Sequence, residues 1–413
     1  MKKLRKFAKI ILAILLIVGS AGILAGSIFR MGLVEERFFE SDLLETYYPY
    51  LLIAGGSVLF YLALIPEICL ATTMKKKVVI PVAILLPIGL AVFFLYNHIL
   101  GCISVHKVSD GLYTMKNYLC NDTADMMKTD MRSIDDLVQW VSETDYFGIP
   151  VNVDPGNFGC CAFSTISDSN ECLFGRNFDY YDCDGVLVYS KPENGYASIG
   201  MADLSILGVK EGTELSPSSV WGRTAMLAAG NLLVDGINER GVGAAILEIN
   251  TEETHQETGK PDMLIYCAVR AILDNCNSVE EAVDLLRGYD IHTDLGVTYH
   301  LFITDSLGRS VVVEWLDGEM TSIDTSVCTN TVLVKGSHYG EGDADDRYSI
   351  IEQGLQEKQR AMNVTKAMNI LNSAQQPEYT QWSCVYNLDK FTVHICPDKR
   401  YEGATFISAK DFE

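Results

Sequence analysis

A thiol, a guanidinium and a carboxylate lie close together in the stretch 159–179, which reads G-C-C-A-F-S-T-I-S-D-S-N-E-C-L-F-G-R-N-F-D. Cys160 opens a short apolar segment, and Arg176 and Asp179 belong to the tetrad R-N-F-D that closes a second one. Two apolar runs around a polar turn predict a β-hairpin. Cysteine attacks as the thiolate, and a fixed positive charge lowers the pKa of a thiol. The hairpin fits covalent catalysis, and it fits equally well a buried cysteine beside a surface ion pair.

The spacing in this hairpin resembles the start of the catalytic chain in the cysteine N-terminal-nucleophile hydrolases of the choloylglycine hydrolase, penicillin V acylase and acid ceramidase group. In that family a cysteine becomes the first residue of the mature chain, and the Arg of a G-R-N-x-D tetrad follows sixteen positions later. Counting back sixteen positions from Arg176 reaches Cys160. Cys161 then takes the small polar position of the family's C-T-x-F pattern, followed by Ala162 and Phe163. Because two cysteines are adjacent, Cys161 remains the alternative first residue.

The resemblance continues downstream in five further segments that keep the family's order. They are D-G-I-N-E-R-G-V-G-A-A at 235–245, Y-H-L-F-I-T-D-S-L-G-R-S-V-V-V-E-W at 299–315, C-T-N at 328–330, D-A-D-D-R-Y at 343–348 and T-Q-W-S-C-V-Y at 380–386. For residues 160–413 the resemblance implies the N-terminal-nucleophile hydrolase fold, an α+β protein built as a four-layer α-β-β-α sandwich.

The resemblance also implies a role for each candidate site residue. Cys160, once freed by cleavage of the preceding peptide bond, is the nucleophile, and its own α-amine is the general base. Arg176 favours the thiolate, and Asp179 holds the α-ammonium that forms. Asn330 donates to the oxyanion, and Arg347 completes the charge array. No cofactor and no metal are expected.

One position departs from the family pattern. Glu248 aligns where the bile-acid branch carries an Asn that assists the oxyanion. An ionised carboxylate opposes an oxyanion, so Glu248 must point away, be protonated or bind a cation of the substrate. We interpret Asn238 and Glu239 as turn and structural residues.

The first part of the chain contains three long apolar runs, at about 10–29, 50–73 and 78–98. Each has the roughly 20 residues that cross a bilayer as a helix. We therefore expect three transmembrane helices in a membrane region at 1–105, although the first run also resembles a signal peptide. The basic residues near 2–9 and 75–77 then face the cytoplasm. This predicts a multi-pass protein of the cell membrane, with a connector at 106–159 and the catalytic domain at 160–413 on the extracytoplasmic side.

The charge balance differs between these parts. Of the 32 Lys and Arg and the 54 Asp and Glu in the chain, 22 and 48 follow residue 105, a net charge of −26 there. Phosphate binding needs clustered cations, so we expect no nucleic acid partner. The 12 cysteines form no CxxC pair. An exported domain would be able to form disulfides among Cys120, Cys172, Cys183, Cys267, Cys276, Cys328, Cys384 and Cys396.

Several elements are predicted by pattern. Ser133 caps a helix with Ile134, Leu137 and Val141 on one face. Ser278, three residues before Glu281, starts a helix that turns four apolar residues inward, Val279, Ala282, Val283 and Leu286. A further helix is expected at 364–372, a short strand at 244–249, and two hairpins, at 300–315 and 383–396.

The function expected from these features is hydrolysis of a linear, non-peptide amide C-N bond through an acyl-enzyme. The substrate is a small amide, with a lipid-like acyl group if the membrane helices hold the site near a bilayer. Three alternatives stay open. They are a bile-salt hydrolase, an acyltransferase of the penicillin-biosynthesis type, and a membrane-held binding protein that keeps the fold without processing itself.

Overall fold

The computed structural model describes residues 95–119, 123–149, 151, 153, 159–294, 296, 298–337, 346–358, 362–401 and 403–412. The chain divides into two units after Tyr96, and the second unit comprises Asn97–Glu413. The helix α1 (Tyr96–Ile103) begins at its boundary.

A nine-stranded sheet forms one half of the core within the described residues. The strands, in their order along the sheet, are β1 (His106–Ser109), β2 (Leu112–Asn117), β5 (Gly185–Ser190), β6 (Ser198–Asp203), β7 (Leu233–Asn238), β8 (Val242–Ile249), β11 (Thr298–Asp305), β12 (Ser310–Leu316) and β13 (Glu319–Asp324). Neighbouring strands pair antiparallel except β2 and β5, which run parallel.

A six-stranded sheet forms the other half and carries the Cys160 hairpin. Its order is β14-β3-β4-β15-β16-β17, and every neighbouring pair is antiparallel. The strands are β14 (Val327–Cys328), β3 (Gly159–Ile166), β4 (Cys172–Asp179), β15 (Thr380–Asn387), β16 (Thr392–Pro397) and β17 (Thr405–Ser408). A small parallel pair, β9 (Asp262–Leu264) and β10 (Asp290–His292), lies outside both sheets.

Helices cover the outer faces of the two sheets. α5 (Ala268–Asn275) packs on β7 and β8, and α6 (Val279–Arg287) packs on β11 and β12. On the other side, α7 (Asp346–Lys358) packs on β3 and β14, and α8 (Val364–Ser373) packs on β4 and β15. The two sheets face each other where β3 contacts β8, and a 2.8 Å hydrogen bond joins the hydroxyls of Ser164 and Thr304. The layers are therefore α-β-β-α, the α+β sandwich expected for this region.

The shorter helices are α2 (Thr123–Met126), α3 (Ile134–Asp145) and α4 (Val220–Ala225). α3 begins at a capping box formed by Ser133 and Asp136, and Leu137 and Val141 are buried as predicted. Ser278 caps α6 by accepting from the Glu281 amide, and the four predicted apolar residues of α6 are buried. Both cap assignments are therefore confirmed.

Residues 106–117, predicted as part of a connector, belong to the folded unit. β2 pairs in parallel with β5, with Leu112 opposite Gly185 and Asn117 opposite Ser190. Leu112, Tyr113 and Met115 are buried in the large core. The parallel pairing requires β2 to enter the sheet from a distant part of the sequence, which local patterns do not reveal.

The prediction of three transmembrane helices is corrected. Nothing among the described residues forms a helix long and apolar enough to cross a bilayer. The runs at 10–29 and 50–73 lie outside the described residues, as does 78–94. The described end of the third run is the eight-residue helix α1. Its His98 ring nitrogen Nε2 lies 2.7 Å from the Asp145 carbonyl oxygen, and a Cβ at Gly101 would meet Leu227 at 2.5 Å.

The described end of this run is therefore packed on protein. The prediction of a multi-pass membrane protein with an extracytoplasmic catalytic domain is corrected together with the transmembrane helices.

The cysteines that the structure describes are all free thiols. Cys160, Cys161, Cys328 and Cys384 are fully buried, and Cys384 lies opposite Ile395 across β15 and β16, not opposite a cysteine. The expected disulfides therefore do not form among the described cysteines, and Cys120 lies outside the described residues.

Candidate active site

The two adjacent cysteines face opposite sides of the six-stranded sheet, because side chains alternate along a strand. Cys160 and Ala162 belong to the large core between the two sheets. Cys161 and Phe163 belong to a second core beneath α7 and α8. Arg176 lies directly opposite Ala162 on β4, so its side chain shares the Cys160 face. Of the two thiols, that of Cys160 is the one placed beside the predicted cation.

Both thiols are fully buried in the uncleaved chain. Burial raises the pKa of the Cys160 thiol to about 12, although the charge of Arg176 opposes that rise. Burial raises the pKa of Cys161 to about 12 as well, and there the negative charge of Asp179 raises it further. A thiol with such a pKa is almost entirely protonated at neutral pH. Burial therefore favours the neutral thiol at both positions in the uncleaved chain.

A hydrogen-bonded array joins the Cys160 backbone to three of the other predicted site residues. The Cys160 amide donates to Asn330 Oδ1 at 2.8 Å. Arg347 Nη2 donates to the same oxygen at 2.8 Å, and Arg347 Nη1 donates to the Cys160 carbonyl at 3.1 Å. Arg347 Nη1 also donates to Asp179 Oδ2 at 2.6 Å. The array binds the peptide groups on both sides of the Cys160 α-carbon.

Arg176 and Asp179 do not form a surface ion pair, which was the alternative to a catalytic role for the hairpin. Both are buried, and they have different ionic partners. Arg176 Nε lies 3.3 Å from Asp235 Oδ2, and its Nη2 donates to the Ile246 carbonyl at 2.8 Å. Among the described residues no group accepts from Arg176 Nη1. A buried cationic N–H without a partner suits a site where negative charge develops.

The carboxylate of Asp179 is held by two donors. Thr380 Oγ1 donates to Asp179 Oδ1 at 2.6 Å, and Arg347 holds the other oxygen. Burial raises the pKa of this carboxyl, while the charge of Arg347 and the Thr380 hydroxyl act against the rise. Asp179 lies opposite Gly159, the residue before the predicted nucleophile. It is thus placed beside the peptide bond whose cleavage would create a new amine.

The side chain of Glu248 lies on the face of its sheet opposite to that of His300. Glu248 is opposite Tyr299, and Leu247 is opposite His300, across β8 and β11. Because neighbouring residues of a strand point to opposite faces, Glu248 shares the face of Tyr299. Tyr299 contacts Tyr266, with 2.6 Å between the two hydroxyl oxygens. The backbone carbonyl of Glu248 accepts from Asn330 Nδ2 at 2.7 Å.

Sequence reasoning missed the residues that hold the predicted ones in place. Asp235 and Thr380 lie inside the segments that carry the resemblance, so their types were visible and their contacts were not. Two buried residues of the central hairpin, His300 and Glu314, were missed in the same way. Each partner comes from another strand, and sequence spacing gives no sign of which strands meet. By contrast, Asn238 is the structural residue predicted, since it bonds the Leu273 and Cys276 carbonyls.

Comparison with known proteins confirms the resemblance found in the motifs. Residues 160–333 match the sequence model of the linear amide C-N hydrolases, choloylglycine hydrolase family. The chain is 26% identical over 173 residues to a penicillin V acylase of Pectobacterium atrosepticum, covering 38% of this chain and 45% of the relative. It is 26% identical over 166 residues to a bile salt hydrolase/transferase of Clostridium perfringens, covering 38% and 47%. The matches thus span about half the length of these relatives.

Solved structures give weaker similarity. A mutant conjugated bile acid hydrolase from Clostridium perfringens superposes with a TM-score of 0.45 and 18% identity, over 61% of this chain and 93% of that one. A penicillin V acylase from Agrobacterium tumefaciens gives a TM-score of 0.43 and 18% identity, over 61% and 86%.

Proposed function

We propose that this protein hydrolyses the C-N bond of linear, non-peptide amides through an acyl-enzyme on Cys160, after cleavage of the Gly159–Cys160 peptide bond. The observation that carries the proposal is the array joining the Cys160 amide to Asn330, Arg347 and Asp179. The family match supports it, since the match begins at Cys160 and includes Arg176, Asp179 and Asn330. Arg347 lies beyond the matched residues and rests on its contacts alone.

Cleavage converts the Cys160 amide nitrogen into an α-amine with a reference pKa near 8. That amine takes the proton of the thiol, and the thiolate attacks the carbonyl carbon of the substrate. Arg176 stabilises the thiolate, and the carboxylate of Asp179, which Arg347 and Thr380 hold in place, balances the ammonium charge. Asn330 Nδ2, which bonds the Glu248 carbonyl in the uncleaved chain, is the donor available to the oxyanion.

The tetrahedral intermediate then expels the amine. The C-N bond breaks, the α-ammonium returns its proton to the leaving nitrogen, and a thioester remains on Cys160. Water, deprotonated by the same α-amine, attacks the thioester carbonyl and releases the carboxylic acid with the thiol restored. Every proton thus passes through one amine, so no separate histidine base is required.

Processing explains the burial of the nucleophile. In the uncleaved chain the Cys160 thiol is fully buried with a raised pKa. A free amine at residue 160 would place a base beside the sulfur, and the preceding residues would no longer be joined to Cys160 by a peptide bond. The loop before the junction, at 154–158, lies outside the described residues.

Intact mass and N-terminal sequencing of the full chain, with its Cys160→Ala and Cys161→Ala variants, test the proposal. We expect a new terminus at Cys160 and hydrolysis of penicillin V, glycine-conjugated bile salts or simple N-acyl amides. Cys160→Ala abolishes cleavage and hydrolysis, whereas Cys161→Ala, the matched control on the opposite face, keeps both. A terminus at residue 161, or full turnover by an uncleaved chain, contradicts the mechanism.

Acyl transfer is a second candidate because the relative from Clostridium perfringens is named as a hydrolase/transferase. The same thioester would be attacked by an added amine in place of water. Turnover in the presence of millimolar amines, followed by mass spectrometry, separates the two outcomes. A new amide product favours transfer, and carboxylic acid alone favours hydrolysis.

A further inference from the structure

The Asn330 segment, defined here as residues 329–334, is fixed at both ends by one buried pair of side chains. His300 Nε2 lies 2.8 Å from the Thr329 carbonyl, at the beginning of the segment. Glu314 accepts from the Leu333 amide at 2.8 Å and from the Val334 amide at 2.9 Å, at its end.

The two anchoring side chains are also bound to each other. His300 Nδ1 lies 3.1 Å from Glu314 Oε1, and both side chains are fully buried. The Thr329 carbonyl and the Glu314 carboxylate are both acceptors, so a ring that bonds both donates from both nitrogens. Cys328 Sγ lies 3.4 Å from the same Nε2, farther than the carbonyl oxygen. His300 and Glu314 are on adjacent strands of the nine-stranded sheet, whereas Asn330 follows β14 of the other sheet.

The segment between these anchors carries the amide that contacts the nucleophile. Asn330 Oδ1 accepts from the Cys160 amide, and Nδ2 donates to the Glu248 carbonyl. Catalytic groups must be held to within about 0.5 Å by packed side chains and hydrogen-bonded neighbours. An amide on an irregular segment has no ladder of strand hydrogen bonds to hold it, so its aim depends on what fixes the ends of that segment.

We propose that the His300–Glu314 pair is a positioning device for Asn330, which holds the segment at Thr329 and at Leu333–Val334 and so aims the amide at the reacting carbonyl oxygen. The inference rests on the proposed function. Neither side chain touches the substrate; they act through Asn330.

The test is a double-mutant cycle on the enzyme that is expressed as the full chain and then cleaved before Cys160. Asn330→Ala alone should lower kcat by about 100-fold to 1000-fold, the range for one oxyanion donor. His300→Leu should lower kcat by about 100-fold. His300→Gln should lower kcat by only about 10-fold, because Gln can still donate to the Thr329 carbonyl. In both variants KM should change by less than about threefold. In the Asn330→Ala background, His300→Leu should cost less than about threefold further, because the group that it positions is gone.

The control is another buried His–carboxylate pair, His292 and Asp262, whose atoms Nε2 and Oδ1 are 2.9 Å apart. His292→Gln alters a comparable bond, between two residues that make no described hydrogen bond to the Asn330 segment, and should leave kcat within about twofold. If His300→Leu fails to fold, His300→Gln and Glu314→Gln carry the same cycle. Multiplicative losses at His300 and Asn330, or an equal loss in His292→Gln, overturn the positioning role while the proposed function stands. A wild-type enzyme that hydrolyses no amide overturns both.

Discussion

Arg176 is expected to combine a structural and a catalytic role that a pair of substitutions can separate. Its guanidinium lies 3.3 Å from the Asp235 carboxylate, and both side chains are fully buried. At an effective dielectric constant of about 20, this distance corresponds to an attraction of about 5 kcal/mol. Replacing Arg176 with Met leaves Asp235 buried without its ionic partner. Losing one partner of a buried pair typically costs about 3 to 5 kcal/mol, so we expect a loss of that size in the free energy of unfolding.

The second substitution removes the remaining charge. Asp235→Asn added to Arg176→Met leaves an amide that still accepts from Tyr386, whose hydroxyl bonds Asp235 in the structure. Replacing both members of a buried pair is often close to neutral. We therefore expect the double variant to recover at least about 2 kcal/mol. Its activity should not recover, because the cation that favours the Cys160 thiolate is still absent, and kcat/KM should remain at least about 100-fold below that of the wild type.

Urea titration of the variants in a Cys160→Ala background measures stability on an uncleaved chain, so that differences in processing do not enter. Steady-state hydrolysis by the corresponding enzymes with Cys160 intact measures activity. A double variant no more stable than Arg176→Met would refute the ion-pair argument. A double variant with restored activity would refute the role of the cation in catalysis.

Three further predictions follow from other contacts. Thr380→Val should lower kcat/KM about 10-fold, because Asp179 loses the 2.6 Å bond from the hydroxyl, and Thr380→Ser should restore it in the same assay. Burial raises the pKa of Asp203 to about 6. A carboxyl group with a raised pKa in the folded state contributes to the free energy of unfolding fully below about pH 4. This contribution, about 3 kcal/mol in all, is lost as the pH rises through about 6. Asp203→Asn should remove that loss in unfolding titrations between pH 4 and 8. Ser133→Ala should cost about 1 kcal/mol of unfolding free energy with kcat unchanged, because it removes only the α3 cap.

Local patterns predicted the elements whose signals are local. The caps at Ser133 and Ser278 and the hairpins around Cys160 and His300 all lie where hydrophobic period and cap chemistry indicated them. The parallel pairing of β2 with β5 was not predicted, because the partner strand lies about 70 residues away and carries no matching local signal. The apolar residues at 78–98 predicted a transmembrane helix. Hydrophobicity alone does not reveal that His98 and Gly101 pack on other parts of the protein.

The sequence predicted which residues belong to the candidate site, and it did not predict the contacts among them. The motifs marked Cys160, Arg176, Asp179, Asn330 and Arg347, and the structure brings four of them into one array. Arg176 stands apart from that array, on the other face of the same strand as Asp179. Its ionic partner belongs to the opposite sheet, and only the packing of the two sheets identifies it.

We propose Cys160 over Cys161 as the nucleophile because of the two-residue period of a strand. Arg176 and Asp179 are three positions apart on β4, an odd number, so their side chains emerge on opposite faces of the sheet. A nucleophilic cysteine that interacts with both residues needs its thiol on the same face as Arg176. It also needs its backbone nitrogen within the hydrogen-bonded array that includes Asp179. Cys160 meets both conditions, since its side chain shares the face of Arg176 and its amide lies in the array with Asp179. Cys161 turns its thiol into the core beneath α7 and α8, where a terminal amine at residue 161 would be one peptide further from Asn330.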